Sequence, residues 1–253
     1  MTKYFYDLHI HSCLSPCADD DMTPNNIAGM AALKGLNLVA LTDHNSCKNC
    51  PAFFEACKRQ GVIPIAGMEL STAEDIHIIC LFESLESAMA FDKEIEGHLV
   101  PIKNRPEIFG NQIITNGDDE TIGTETNLLI SATDLWIADA IDLARSYGAH
   151  VHPAHIDRES NGILSVLGDI PLEYGFGFFE FNDHSNLTEY RQRFSYISEE
   201  NVLVCSDAHN LWSINEAENC VEINDEPYSS ALVRSEFFKN LKKYDKPDQY
   251  LKI

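Results

Sequence analysis

The stretch "YDLHIHS", residues 6–12, sets two histidines two positions apart in a strand-like apolar run. Residues two apart in a strand share a face. The pattern therefore predicts Asp7, His9 and His11 on one side and Leu8 and Ile10 on the other. Two imidazoles leaving one strand in the same direction make a chelating pair. A lone histidine is more often a satisfied core or surface residue, so the meaning of this pair depends on what else converges on it.

Short apolar runs of the same kind recur at 37–42, 62–67, 76–82, 148–154, 176–182 and 201–206, giving with 4–11 about seven predicted strands. Helix-like stretches lie between them. Thr23 before Pro24 reads as an N-cap followed by the first helical residue, and Gly35 closes that helix. Pro51 and Gly61 bracket the next one. "TDLWIADAIDLARSYG" starts at Thr133 as a cap and ends at Gly148. Strand–helix alternation of this kind implies a parallel sheet and, repeated seven times, a closed or nearly closed barrel. Residues 98–132 break the rhythm with a polar segment containing acidic residues at 118–120. They are expected to form an insertion between the fourth strand and its following helix, a lid or a contact surface, within a single domain spanning 1–253.

The chain has 40 acidic against 18 basic residues, a net charge of −22. That field repels long polyanions, so long nucleic acid is not expected as a partner. No apolar stretch is long enough to span a bilayer and no signal-peptide core opens the chain, which makes the cytoplasm the expected compartment and leaves no membrane partner. Eight cysteines there are expected as thiols or metal ligands.

Other chemistry-bearing residues fall at corresponding points. His44 follows "LVALTD", Glu69 follows "VIPIAGM", His77 opens "HIICLF", His155 follows "GAHVHPA", and Asp207 and His209 follow "NVLVCS". In parallel barrels the active site lies at the C-terminal ends of the strands, so nearly every strand sends an imidazole or carboxylate to one rim. Such donors suit zinc, manganese or iron. There are too many for one four-coordinate ion, and a cluster of two or three metals fits better. Such a cluster activates water and clamps the oxygens of a phosphoryl displacement.

At these residues the chain resembles the PHP (polymerase and histidinol phosphatase) domain family. "DLHIHS" is similar to its first motif, "LTDHN" to its second, "GMEL" with His77 to its third, and "CSDAH" to its last. "ADDDMTP" resembles its Ser-Asp-Gly-x-x-Thr-Pro stretch, which selects Asp19 over Asp20 and Asp21. The segment between His11 and that aspartate is longer than the family pattern. The resemblance implies a distorted seven-stranded (β/α)7 barrel and three divalent ions, zinc, manganese or iron. His9, His11, Glu69 and Asp207 would hold one, Glu69, His77 and His155 the second, and Asp19, His44 and His209 the third. Aligning Gly148 to His155 with the family's Gly-rich strand favours His155 over His152.

The activity so implied is phosphoesterase action by a metal-activated hydroxide on a small phosphorylated metabolite or a nucleotide, with Asp207 essential. Arg158 is placed to clamp a phosphate oxygen, with a surface ion pair to Asp157 or Glu159 as the alternative. His184 is placed to protonate the leaving group, with a solvated loop histidine as the alternative. Asp43 and Asp7 are expected to orient ligand histidines. An amidohydrolase-like C–N hydrolase and a non-catalytic metal-binding scaffold are the competing functions. A four-cysteine zinc site from Cys13, Cys17, Cys47 and Cys50 is a further alternative to plain thiols. Oligomeric state is not legible.

Overall fold

Alternation along "IPIAGMELS" sorts the interior into two layers. In the computed structural model, which describes residues 1–244, this stretch is a strand (Ile63–Ser71) buried along its whole length. Ala66, Met68 and Leu70 join one apolar cluster, while Ile63 and Ile65 join another. Glu69 shares the parity of Ile63 and Ile65. The last part of the expected 1–253 domain, residues 245–253, lies outside the described residues.

The strands are β1 (Thr2–Asp7), β2 (Leu38–Leu41), β3 (Ile63–Ser71), β4 (His77–Phe82), β5 (Ile113–Thr115), β6 (Thr121–Thr124), β7 (His150–Pro153), β8 (Phe179–Phe181), β9 (Val202–Val204) and β10 (Cys220–Ile223). The helices are α1 (Pro24–Leu33), α2 (Cys50–Gln60), α3 (Leu85–Ile95), α4 (Pro106–Phe109), α5 (Ile137–Ser146), α6 (Ile163–Leu167), α7 (Leu187–Arg193) and α8 (Ser230–Lys242). One sheet runs in the order β10-β1-β2-β3-β4-β7, while β8–β9 and β5–β6 are separate pairs. The apolar faces of α1, α2, α3 and α5 fill the first cluster. Val233, Phe237, Phe238 and Leu241 of α8 fill the second, on the opposite face. Among the described residues no helix is long and apolar enough to cross a membrane.

Each of the seven predicted segments overlaps a strand, but they do not form one parallel ring. β1–β2 and β2–β3 are parallel, whereas β3–β4 and β4–β7 are antiparallel. Chain length explains the reversal. β3 ends at Ser71 and β4 starts at His77, which leaves room for a tight turn but not for a crossover of a dozen residues. The architecture is therefore a mixed α/β fold with a six-stranded sheet. At one end, hydrogen bonds tie that sheet to the β8–β9 pair: Ile156 N–H donates to the Glu180 carbonyl (2.9 Å) and His11 N–H to the Ala208 carbonyl (3.0 Å).

Of the helix ends read from the sequence, the start of α5 differs. Thr23 caps α1 through its side chain, and Gly61 ends α2 with a left-handed backbone (φ +73°). Thr133 does not cap α5. Its hydroxyl donates to the Ser71 carbonyl at 2.8 Å, and the first N–H of the helix, that of Ile137, is taken by the Glu74 carboxylate at 3.0 Å. Nor does the 98–132 insertion directly follow β4, because α3 intervenes. Residues 98–132 carry α4, β5 and β6 and lie against the β1–α1 loop. Ile113 N–H donates to the Cys13 carbonyl (2.8 Å), and the Asp119 carboxylate accepts from Thr23 Oγ1 (2.5 Å).

Candidate metal centre

The reversal of β4 builds the site's edge. Because β4 runs against β3, its first residue, His77, stands beside the end of β3 rather than at the far end of the sheet, and Ser71 pairs with His77 in register. The predicted C-terminal rim is thus completed by one N-terminal strand end. His9 and His11 lie beyond the end of β1, where simple alternation fails. Leu8 belongs to the α8-side cluster and Ile10 to the helix-side cluster, so the two do not share a face. A parallel bridge from Ile10 to Ala208 holds this stretch against the loop carrying Asp207 and His209.

Glu69 is the hub. Its carboxylate lies 3.4 Å from His9, 3.2 Å from His11, 3.0 Å from His44, 2.8 Å from His77 and 3.2 Å from His155. Asp207 lies 3.0 Å from His11. The donor atoms form three compact groups: His9, His11, Glu69 and Asp207; His44, Glu69 and His77; and His11, His44 and His209. His44, Glu69, His77, Asp207 and His209 open on a cavity of ≈ 290 Å³, also lined by His155, Arg158, Ser160, Asn161, Ile130 and Cys17. His155 (φ +25°) and Asp207 (φ +51°) both hold left-handed backbone conformations that non-glycine residues rarely adopt. Such strain persists only where the surroundings enforce it and clusters at functional sites.

Burial and mutual charge divide the imidazoles. Burial alone would push His9 and His11 down. The carboxylates of Glu180, Asp207 and Glu69 outweigh it at His9, which stays well above the ordinary histidine range, and Asp207 with Glu69 lifts His11 to about 9. Burial wins at His44, lowered to about 3, and at His209, lowered to about 4, each aided by the charge of His11. Burial also opposes the ionised form of Glu69, but His77, His9 and His44 overcome it and hold the carboxyl well below its usual range.

Not every predicted residue arrives. Asp19 is exposed and belongs to none of the groups; only its backbone N–H approaches, donating to the His209 carbonyl at 2.9 Å. His184 does not line the cavity and pairs with Glu199 on the surface at 3.2 Å. Arg158 does reach the site, and its partner is Asp207 rather than Asp157 or Glu159. Asp157 instead accepts backbone N–H groups of Asn182 and Asp183. Asp43 reaches His11 indirectly: it accepts from the Ser15 hydroxyl (2.7 Å), which lies 3.1 Å from His11 Nδ1. Asp7 anchors backbone, accepting from Ser206 N–H and Asn215 N–H, and touches neither imidazole ring. Cys47 and Cys50 are buried on the helix side with their thiols toward the Gly67 carbonyl, and no group of metal-capable residues among those described includes a cysteine.

Glu180 was missed from the sequence. It is fully buried, and its Oε1 lies 2.8 Å from His9 Nδ1 and accepts from His155 N–H at 3.0 Å. Its Oε2 lies 3.6 Å from His152, which places His152 behind the rim. The signal was present in "GFFEFN", an acid in the middle of an apolar strand. Such a carboxylate persists only with a buried partner.

The residues fit metal ions. His155 Nδ1 is buried without a hydrogen-bond partner, and such an atom costs roughly 1–3 kcal/mol if nothing satisfies it; Glu69 Oε2 and His44 Nδ1 face each other at 3.0 Å without the geometry of a hydrogen bond. A cation between them would satisfy both. Nitrogen and carboxylate donors in this mixture suit zinc, manganese or iron better than calcium or magnesium.

Comparison with known proteins agrees. The model of the PHP domain matches residues 7–209. A 5'-3' exoribonuclease of Haemophilus influenzae (strain ATCC 51907 / DSM 11121 / KW20 / Rd) is 37% identical over 84 residues, covering 32% of this chain and 29% of the relative. Endonuclease Q of Pyrococcus furiosus, a lesion-specific endonuclease, superposes with a TM-score of 0.63 at 19% identity, over 96% of this chain and 56% of that one. A second endonuclease Q structure, in complex with a 27-mer duplex substrate with an abasic lesion at the active site, gives 0.61 at 21% identity, over 96% and 57%. A protein of Bifidobacterium adolescentis ATCC 15703 described as a metal-dependent phosphoesterase gives 0.57 at 16%, over 87% and 93%. The chain spans less than a third of the exoribonuclease and little more than half of endonuclease Q. The expectation that long nucleic acid is excluded is corrected by these relatives. Net charge is a property of the whole surface, and beyond a Debye length of roughly 8 Å distant acids are screened from a local site.

Proposed function

Since the chain belongs to the PHP-domain family, we propose that it is a metal-dependent phosphoesterase that hydrolyses a phosphate ester of a nucleic acid. The observation that carries this reading is Glu69, one buried carboxylate within 3.4 Å of five imidazoles at the edge of a cavity that Arg158 also lines. In this reading three divalent ions, zinc, manganese or iron, are held by His9, His11, Glu69 and Asp207, by Glu69, His77 and His155, and by a third set built on His44 and His209. Such ions, when bound, lower the pKa of a water molecule and neutralise phosphate oxygens.

The chain's own residues do the rest. Arg158 presents a planar fork that exchanges Asp207 for two phosphate oxygens. Glu180 accepts the Nδ1 proton of His9 and so turns the other ring nitrogen, Nε2, toward Asp207 and Glu69. Ser160 and Asn161 line the same cavity and offer donors to the non-reacting oxygens. At ≈ 290 Å³ the cavity sits at the lower end of the roughly 300–1,000 Å³ typical of ligand sites. It takes one phosphate and the atoms beside it, with the rest of the strand outside. Similarity to an exoribonuclease and a fold shared with a lesion endonuclease support nucleic acid as the substrate class.

The test is incubation of the metal-loaded chain with labelled single-stranded RNA, single-stranded DNA and a duplex carrying an abasic site. Metal-dependent cleavage of at least one is expected. Asp207→Asn is expected to lower that rate by about a hundredfold or more, beyond the 10–100-fold cost of losing an outer partner of a metal ligand. Intact substrates in all three cases would refute the assignment.

A further inference from the structure

Among the described residues that line the metal cavity, Ile130 is the one aliphatic side chain. The rest are imidazoles, carboxylates, a guanidinium, a thiol, a hydroxyl and an amide. Ile130 is partly buried and joins neither of the two apolar clusters of the interior, so its role is not to fill the core. A phosphate, its metal ions and Arg158 gain nothing from a hydrocarbon wall. The carbon skeleton esterified to that phosphate does gain, because apolar area removed from water is stabilising in proportion to its extent.

The backbone around Ile130 is held from two sides. Asn45, the residue after His44, is buried, and its whole side-chain amide is engaged here. Its Nδ2 donates to the Leu129 carbonyl at 2.7 Å and to the Ser131 carbonyl at 2.9 Å, the two residues that flank Ile130. Its Oδ1 accepts from Ser71 N–H at 2.8 Å, and its own N–H donates to the Glu69 carbonyl at 2.9 Å. Asn45 holds a left-handed backbone (φ +49°), which asparagine tolerates better than most residues. From the other side, Leu129 N–H donates to Oε1 of the buried Gln112 at 2.8 Å. One buried amide thus ties Ile130 to the strand ends that carry His44 and Glu69. A β-branched side chain on a pinned backbone has few rotamers, so the wall is preorganised and loses little entropy on binding.

We propose that Ile130 is a specificity-determining residue that packs against the sugar of the nucleotide whose phosphate lies at the metal centre. This inference rests on the phosphoesterase reading above. Bases stack on aromatic rings or guanidinium planes. An aliphatic side chain offers neither, whereas it matches the C–H face of a ribose or deoxyribose. The contact favours a phosphate carried by a nucleotide over phosphate alone, without touching the reacting atoms.

The test compares Ile130→Ala and Ile130→Val with wild type in the metal-loaded full chain, on whichever labelled oligonucleotide wild type cleaves. Two constants are read. One is KM for the oligonucleotide. The other is the inhibition constant of inorganic phosphate, which meets the ions and Arg158 but has no carbon to set against Ile130. Ile130→Ala is expected to raise KM about tenfold, the lower end of what a missing methylene does in a hydrophobic pocket, and to leave phosphate inhibition where it is. Ile130→Val is expected to regain most of that loss. A substrate with an abasic nucleotide at the cleaved bond keeps the sugar, and Ile130→Ala is expected to raise its KM by the same factor. An unchanged KM in Ile130→Ala overturns the proposal. So does a parallel weakening of phosphate inhibition, which would make Ile130 a structural support, and so does a loss confined to substrates with an intact base. All three leave the phosphoesterase reading in place. A wild type that cleaves no oligonucleotide overturns both.

Discussion

Glu180 shows how a residue can govern a site it does not face. Its Oε1 serves both the His9 ring and the His155 backbone, and ionised Glu180 is favoured because burial is outweighed by the charge of His9, which holds the carboxyl near 2. Outer partners of metal-ligating histidines are typically worth 10–100-fold in metal affinity. Glu180→Gln is therefore expected to weaken metal binding by about that factor, measured by competition with a chromogenic chelator, with the fold retained. Unchanged affinity would remove Glu180 from the account. Position at the ends of predicted strands made His9, His11, His44, Glu69, His77, Asp207 and His209 legible in the sequence, the family resemblance selected His155 over His152, and the structure gathers all eight. Asp19 and His184 are not gathered. Their positions depend on loop paths after β1 and after β8, and no periodicity constrains those.

At the scale of elements, residues 98–132 brace the loop between β1 and α1, whose Ser15 touches His11. Gly110 adopts φ +100°, and a Cβ there would stand 2.0 Å from the Pro16 carbonyl oxygen. Gly110→Ala meets both a forbidden backbone region and a backbone clash, so a loss of about 1–3 kcal/mol is expected in chemical denaturation, together with weaker metal binding as the loop shifts. A variant with unchanged denaturation midpoint and metal affinity would show that the brace is not needed. The strands were legible because apolar runs bounded by turns mark them. The direction of β4 was not read, although the short turn before it implied a hairpin. Reading β3 as ending at residue 67 rather than Ser71 hid how short that turn is.

The whole molecule sets the pH and salt behaviour. His9 and His11 have raised folded values, so the stability they contribute is complete below the unfolded value of about 6.5 and is lost as pH rises through about 9. His44 and His209 have lowered values, about 3 and 4. Below about 6.5 the unfolded chain binds their protons first, and stability falls as pH falls. Chelator-treated protein is therefore expected to have its highest melting temperature near pH ~6.5, checked by scanning calorimetry. A steady rise through pH 9 would contradict these pairings. The net charge of −22 acts at the same scale. It opposes the approach of an oligonucleotide, so KM is expected to fall as salt rises toward roughly 0.15 M, where the Debye length is about 8 Å. A basic nucleic-acid binder behaves the opposite way, and KM rising with salt would mean that a local positive site dominates. Total charge alone does not exclude nucleic acid, because composition carries no information about where the charges lie.

A metal centre organised by Glu69 is expected to hydrolyse phosphate esters. Metal content by plasma mass spectrometry, measured on the same samples as cleavage of labelled oligonucleotide, tests it in wild type and Glu69→Gln. Wild type is expected to hold several ions per chain and to cleave only with metal, with ions and cleavage lost together in Glu69→Gln. A Glu69→Gln chain that keeps the wild-type metal content and rate, or a wild-type chain that cleaves as fast after exhaustive chelation, would contradict it.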